Sequence, residues 1–412
     1  MASSKPTSSS KPAYSYSTPP SVPPVDEILP DEPLLLMGAG PVPVQSRVAA
    51  ANSLVINHLG DTMSQVVSQV KQLASYVFQT ESPYVFGVSG PGSAAMEMAI
   101  TNLVWPGRKV LSIKNGYFSS RFEEMASRVG GETTVLEAGE NHYIEADAVE
   151  AILKTQDFDV LTIVQGETSN TVFNRQLPEI AALAKKYGVL CIVDAVCTLS
   201  TMELNMDEWG IDAVVTGGQK GLSSVPGVSL IAFSELAWDT IQKRDARMPH
   251  WCFDTRLAYE FWHNKGYHYT APVSGLLALH EALRLICIET LPGRFERHLH
   301  CSQALQRGIE AMGLDLFVAQ ESRLNSVIGI CLPQEIDGKE LLSLMSSRYL
   351  VEISGSFGGH IVRIGQMGEQ CRSHHLLRVL HALGMSLQSM GAKIDAPAGM
   401  AEMEKQLLIT YP

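Results

Sequence analysis

Cysteine is sparse and unpatterned in this chain, and long apolar runs are missing. The 412 residues carry seven cysteines at irregular spacing and no Cys-x-x-Cys pair. Such a set suits a reducing compartment, the cytoplasm or an organelle matrix, better than a disulfide framework, and no metal site is expected from it. No apolar run reaches the length of a membrane span. Basic clusters are absent too, and a net charge of −12 argues against a nucleic-acid partner. Residues 1–33 are Ser-, Pro- and Thr-rich with few large aliphatics before Ile28, and have lysines but no arginine. They read as a flexible tail without the apolar core of a secretory signal, and support for an organelle transit peptide is weak. What is present is ordinary for a globular enzyme. Hydrophobic residues make up 45% and charged residues 18%, enough for one large and one small domain around substantial cores.

The organising stretch runs from Val189 to Val228. Val189–Val196 is a short, β-branched apolar run bounded by Gly188, which reads as a buried strand of a parallel sheet. It carries Asp194 near its end, and ligands of open α/β sheets collect at the carboxyl ends of strands. A second buried run, Ile211–Thr216, leads to Gly217-Gly218-Gln219-Lys220-Gly221, where glycines leave room for a ligand beside the lysine. An acid at one strand end and a lysine just past the next suit pyridoxal phosphate chemistry. The lysine amine forms a Schiff base with the cofactor aldehyde, and the carboxylate keeps the pyridine nitrogen protonated. A surface lysine in a Gly loop and an unrelated acid at a strand end fit the same residues.

Elsewhere strand and helix patterns alternate, which predicts a mainly parallel sheet. Tyr84–Val88 reads as a strand running into Ser89-Gly90-Pro91-Gly92-Ser93 and a helix to about Leu103. A Gly-rich turn at a helix N-terminus is a candidate phosphate cradle. It carries neither the dinucleotide fingerprint nor the triphosphate-loop lysine, so a nucleotide is disfavoured. Lys109–Ile113 is a strand followed by Asn115-Gly116-Tyr117-Phe118, where an aromatic either stacks on a flat ring or caps a core. Asp159–Gln165 is a strand ending in Gly166-Glu167-Thr168-Ser169-Asn170, rich in hydrogen-bonding groups. Leu291-Pro292-Gly293 reads as a boundary, followed by a helix at Arg297–Met312 and an α+β layout whose last helix is Ser373–Met390. Within it, Arg363 lies in the apolar strand His360–Ile364. A structural ion pair or a substrate carboxylate would answer its charge.

The motifs together resemble the class V, fold-type I aminotransferases, and in particular their alanine–glyoxylate and serine–glyoxylate group. The resemblance spans residues 34–390. It rests on Gly38-Ala39-Gly40-Pro41, VSGPGSAAMEMAI at 88–100, NGYF at 115–118, QGETSNT at 165–171, VDAV at 193–196, TGGQKGL at 216–222, YHYTAPV at 267–273 and VRIGQMG at 362–368. It implies an α/β fold: a large domain with a mainly parallel, seven-stranded sheet between helices, plus a smaller α+β C-terminal domain. The expected divisions are a tail at 1–33, an arm at 34–57, the large domain at 58–293, the small domain at 294–393 and an extension at 394–412.

The resemblance also implies roles. Lys220 would hold pyridoxal 5′-phosphate and shuttle the proton, and Asp194 would pair with the ring nitrogen. Phe118, where relatives often have Trp, would stack on the ring, with Val196 on its other face and Thr168 at the ring hydroxyl. Gly92, Ser93 and Gln219 would bind the phosphate, with Pro91 standing where relatives often have Ser or Thr. Tyr267 and Thr270 would reach the phosphate of a neighbouring subunit, which implies a homodimer. Arg363, with the Gly40 backbone nearby, would clamp the substrate carboxylate. The implied reaction moves an amino group from alanine, serine or a similar donor to glyoxylate or pyruvate by a ping-pong mechanism. Asn57-His58-Leu59-Gly60 departs from the His-Arg-Ser-Pro of many serine–glyoxylate relatives. QGETSNT and RIGQMG also resemble ureidoglycine–glyoxylate and pyridoxamine–pyruvate aminotransferases. A cysteine desulfurase-like lyase would need a mobile nucleophilic cysteine, which neither Cys331 nor Cys371 suits. An inactive scaffold would need neither Asp194 nor Lys220.

Overall fold

Seven strands build the central sheet: β1 (Val85–Ser89), β2 (Lys109–Lys114), β3 (Glu132–Glu137), β4 (Val160–Val164), β5 (Leu190–Asp194), β6 (Ala213–Gly217) and β7 (Val228–Phe233). Their spatial order is β1-β7-β6-β5-β4-β2-β3. The computed structural model describes residues 17–139, 141–356 and 360–409. The pairs β2–β3, β2–β4, β4–β5 and β5–β6 are parallel, as expected. Strand β7 departs from that rule and is antiparallel to both β1 and β6.

Burial explains the residue choice. Strands β4 to β7 are buried along their whole length, so they read as unbroken apolar runs. Edge strand β3, Glu-Thr-Thr-Val-Leu-Glu, is only partly covered and has no such run. The register sets Val164 beside Asp194 and Asp194 beside Val215, so neighbouring strand ends finish level.

Five helices matter below: α1 (Gly92–Leu103), α2 (Tyr117–Arg128), α3 (Val273–Glu289), α4 (Leu291–Ala311) and α5 (Ala396–Leu407). Helix α2 starts at Tyr117, which puts Phe118 in its first turn. Helix α4 begins at Leu291, where the sequence reads as a boundary. Pro292 is tolerated in a first turn because its missing N–H has no helical partner there, and Thr290 caps the helix through Gly293 N–H.

The described residues from Leu35 onward form one compact unit. Its apolar side chains fall mainly into two clusters. One runs from Met63 to Leu291 around the large sheet. The other joins Leu35 and Met37 to residues between Cys301 and Met403. The second surrounds a three-stranded antiparallel sheet of β8 (Val327–Cys331), β9 (Ser354–Gly355) and β10 (Ile361–Gly365), ordered β8-β10-β9. Leu35–Leu36 adds a short parallel pairing with Val351–Glu352. Helix α5, in the stretch read as an extension, places Met403 in this second cluster. Of the expected tail, residues 1–16 lie outside the described residues, and Val25–Glu27 forms one 3-10 turn. Among the described residues, no helix is long and apolar enough to cross a membrane.

Candidate active site

A pocket of about 710 Å³ opens at the carboxyl ends of β4, β5 and β6. Gly92, Ser93, Phe118, Thr168, Asp194, Val196, Gln219 and Lys220 all line it. Eight of the sequence-derived site residues are therefore brought together by folding. The other four are not in its lining. Gly40 packs against Lys220, Arg363 touches the wall through Thr168, and Tyr267 and Thr270 are exposed.

Asp194 closes β5 and is only 4% exposed. Its carboxylate accepts one backbone bond, from Val196 N at 2.7 Å. Burial pushes its acid up to about 7, against the pull of that bond, while Glu167 adds to the rise and Lys220 and Arg121 oppose it. A buried carboxylate so poorly compensated is ready for a cationic partner, and a protonated pyridine nitrogen is one.

Lys220 follows β6 by three residues, inside the loop that turns the chain back into β7. Its Nζ donates to the Ala39 carbonyl. Burial lowers its affinity for a proton, with Arg363 and Arg121 acting in the same direction and Cys197 and Asp194 against. A lysine that loses its proton more readily is a better nucleophile toward an aldehyde. Gly40 makes this placement possible. Its φ of +97° disfavours a side chain, and a Cβ there would lie 2.7 Å from Lys220 Nζ. Gly40→Ala is therefore expected to lower stability by ~1–2 kcal/mol and turnover by ~10²-fold through a displaced lysine. Thermal melts with steady-state rates check this; a variant matching the wild type in both contradicts it.

The rest of the pocket is set by two helix N-termini. In α1, Gly92 lies so close to Val196 that a Cβ would meet its Cγ2 at 2.7 Å. In α2, the fully buried Glu167 accepts from Ser119 N at 2.8 Å and Phe118 N at 3.3 Å, and from Ser169 Oγ at 2.6 Å. A carboxylate there satisfies free helix N–H groups and meets the positive end of the dipole. It fixes the turn that aims Phe118. One turn on, Arg121 donates from Nη1 to Ser93 Oγ at 2.7 Å and lies 4.8 Å from the Phe118 ring. Sequence reasoning singled out neither residue. For Arg121, its place one turn after Phe118 was the available signal. For Glu167, it was an acid in a buried strand-end run.

Arg363 sits in β10 and is 5% exposed. Its Nη1 donates to the Thr168 carbonyl at 2.6 Å, and Nε and Nη2 donate to the Gly355 carbonyl at 2.9 and 2.5 Å. Burial disfavours its charge and Glu167 partly restores it. A second arginine, Arg294 of α4, holds the loop just past Lys220. It donates to Gly221 O at 2.8 Å, Ser223 Oγ at 3.0 Å and Glu289 at 2.9 Å. Burial works to raise the Glu289 acid, but Arg297 and Arg294 outweigh it and hold it at about 2. Arg297 in turn bonds the carbonyls of Gly368 and Cys371. The lysine loop and the turn after β10 are thereby tied together.

Neither the pocket cysteine nor the two weighed as nucleophiles is poised as a thiolate. Cys197 lines the pocket, but burial pushes its thiol up to about 12. Burial also raises the thiols of Cys331 and Cys371, and neither lines the pocket. Among the described residues no His, Cys, Asp and Glu cluster could hold a metal ion.

The donor set fits pyridoxal 5′-phosphate. The Asp194 carboxyl is buried with a single backbone bond, and the α1 N-terminus and the Gln219 side chain face the same space as the Lys220 amine. Residues 45–381 match the family described as Aminotransferase class-V. The chain is 35% identical over 371 residues to alanine–glyoxylate aminotransferase of Drosophila melanogaster, covering 87% of this chain and 94% of that one. It superposes on the crystal structure of ureidoglycine–glyoxylate aminotransferase from Bacillus subtilis with a TM-score of 0.89 at 30% identity, covering 92% of this chain and 99% of that one. For the alanine–glyoxylate aminotransferase structure from Nostoc sp., the TM-score is 0.85 at 32% identity, with 87% and 96% covered. With the strand-end acid, the loop lysine and the helix cradle in one pocket, the chain belongs to the class-V aminotransferases, the pyridoxal phosphate-dependent transaminases of fold type I.

Proposed function

We propose that the protein moves an amino group from a small amino acid, alanine, serine or a similar donor, to glyoxylate or pyruvate in a ping-pong cycle. The observation that carries this is the buried Arg363 guanidinium, bonded to the Thr168 carbonyl on the wall of the pocket that holds Lys220. A fork so placed suits a small acid held by its carboxylate. The alanine–glyoxylate names of the relatives support the same substrate class. The bound cofactor supplies an aldehyde carbon and an electron-accepting ring. Lys220 would take the proton from the substrate α-carbon and pass it to the cofactor's aldehyde carbon within the same half-reaction, and would reverse that transfer with the second substrate. Asp194 would hold the ring nitrogen protonated, Phe118 and Val196 would cover the ring faces, and Thr168 would meet the ring hydroxyl. Gly92, Ser93 and Gln219 would hold the phosphate.

The exposed Tyr267 and Thr270 belong to the proposed homodimer, where each reaches the phosphate bound by the other copy. Seven unpaired cysteines support a reducing compartment. The likeness to the Bacillus subtilis structure supports a second reading, ureidoglycine as amino donor. A half-reaction screen separates the two. The cofactor-loaded protein is mixed with single amino acids, and loss of the visible cofactor band is recorded. Bleaching by alanine or serine supports the first reading. Bleaching by neither, with ureidoglycine active, contradicts it.

Arg363→Ala is expected to raise KM by ~10–100-fold for every carboxylate substrate, the value of a charge-assisted pair. Clamping acts on ground and transition states alike, so kcat changes less. A drop in kcat alone, with KM unmoved, contradicts the clamp.

A further inference from the structure

The proposed reading places a phosphate dianion at the N-terminus of α1, and the following inference rests on it. The expected phosphate donors there are uncharged. Pro91 caps the helix and has no N–H to offer. Gly92 and Ser93 contribute backbone N–H groups and one hydroxyl, and Gln219 an amide. The helix dipole adds about half a positive charge. A buried dianion held only by such groups stays largely uncompensated.

Two cationic side chains line the pocket, Lys220 and Arg121. Lys220 is turned toward the Ala39 carbonyl and is assigned to the aldehyde carbon. Arg121 lies at the other end, with Nη1 2.7 Å from Ser93 Oγ. Its guanidinium carbon sits 4.8 Å from the Phe118 ring centre and 4.9 Å from that of Tyr117. Aromatic contact holds its plane, and one nitrogen marks the hydroxyl expected to touch the phosphate. Among the described residues, no ion pair with a carboxylate is formed by Arg121. Its charge acts on both Asp194 and Lys220, so it is felt throughout the pocket.

We infer that the Arg121 guanidinium is the counter-charge for the cofactor phosphate, reaching it from the Ser93 side of the α1 N-terminus. A planar fork with several N–H groups can keep its bond to Ser93 and still donate to phosphate oxygens.

The test compares two ligands that differ only in the phosphate. Full-length protein freed of cofactor is titrated with pyridoxal 5′-phosphate and with pyridoxal, following the visible band. Wild type, Arg121→Gln and Arg121→Lys are measured. Arg121→Gln is expected to weaken pyridoxal phosphate binding by ~10–100-fold, as for the loss of a charged hydrogen-bond partner. Pyridoxal affinity should stay unchanged, and Arg121→Lys should fall between wild type and Arg121→Gln. Equal weakening of both ligands would mean that Arg121 only steadies Phe118, and would overturn the inference. So would unchanged phosphate-ligand affinity. Should Arg121→Gln fail to fold, the lysine variant decides, since a selective loss for the phosphate ligand is still required of it. A wild type that develops no visible band with pyridoxal phosphate would instead defeat the cofactor reading itself.

Discussion

Turnover falls by at least ~10³-fold when Lys220 is replaced by alanine, and the chain keeps its fold. Lys220 is the amine in the pocket and the group assigned to the substrate α-carbon proton, so no neighbour can take over both tasks. Neither Arg121 nor Arg363 carries an amine that could form the covalent bond. Stability should not suffer. Burial lowers the proton affinity of Lys220, so enclosing this amine costs the fold stability near neutral pH. Alanine removes that penalty along with the bond to Ala39. The expected melt is therefore unchanged or slightly higher, with the visible cofactor band lost. A variant that still transaminates at the wild-type rate contradicts the assignment of Lys220.

Asp194→Asn is expected to lower turnover by ~10²–10³-fold, the scale of losing one preorganised electrostatic contact. The amide keeps the size of the carboxylate and can accept the Val196 N–H, so packing survives while the charge facing the ring nitrogen is lost. The same residue predicts a pH effect on the cofactor-free protein. Its acid rises from 3.8 to about 7 on folding, chiefly because it is buried. A raised folded value means that its contribution to stability is fully present below the unfolded value and is lost as pH climbs through about 7. The loss amounts to roughly 4 kcal/mol at most across that window. Denaturant titrations between those two pH values should show this slope in wild type and a flatter one in Asp194→Asn. Bound cofactor should flatten the wild-type slope as well, because the pyridinium then answers the carboxylate. Parallel curves for wild type and variant would contradict the assignment.

How much of this was legible in the sequence depends on the range of the contacts involved. Strands β5 and β6 were legible because burial on both faces selects unbroken apolar, β-branched runs. Asp194 and Lys220 stood out because each ends or follows such a run. Strand β3 was missed because an edge strand covered on one side needs no apolar run. The reversal of β7 was equally invisible, since a fully buried strand has the same composition in either direction. At Leu291, a Pro-Gly pair that breaks a helix interior proved compatible with a first turn. In the site, Glu167 and Arg121 gain their roles from partners far along the chain, Glu167 from Ser119 and Arg121 from Ser93. Arg294 carries no local mark at all, because its meaning lies in the carbonyl of Gly221. The resemblance named Arg363, Tyr267 and Thr270. Folding of one chain brings only Arg363 to the pocket wall.

The most direct measurement is to reduce the cofactor-loaded enzyme with borohydride, digest it, and locate the phosphopyridoxyl group by peptide mass spectrometry. The group should sit on Lys220 and on no other lysine. Its recovery on a different lysine, or on none, would contradict a reaction centred on the amine just past β6 and the carboxylate at the end of β5.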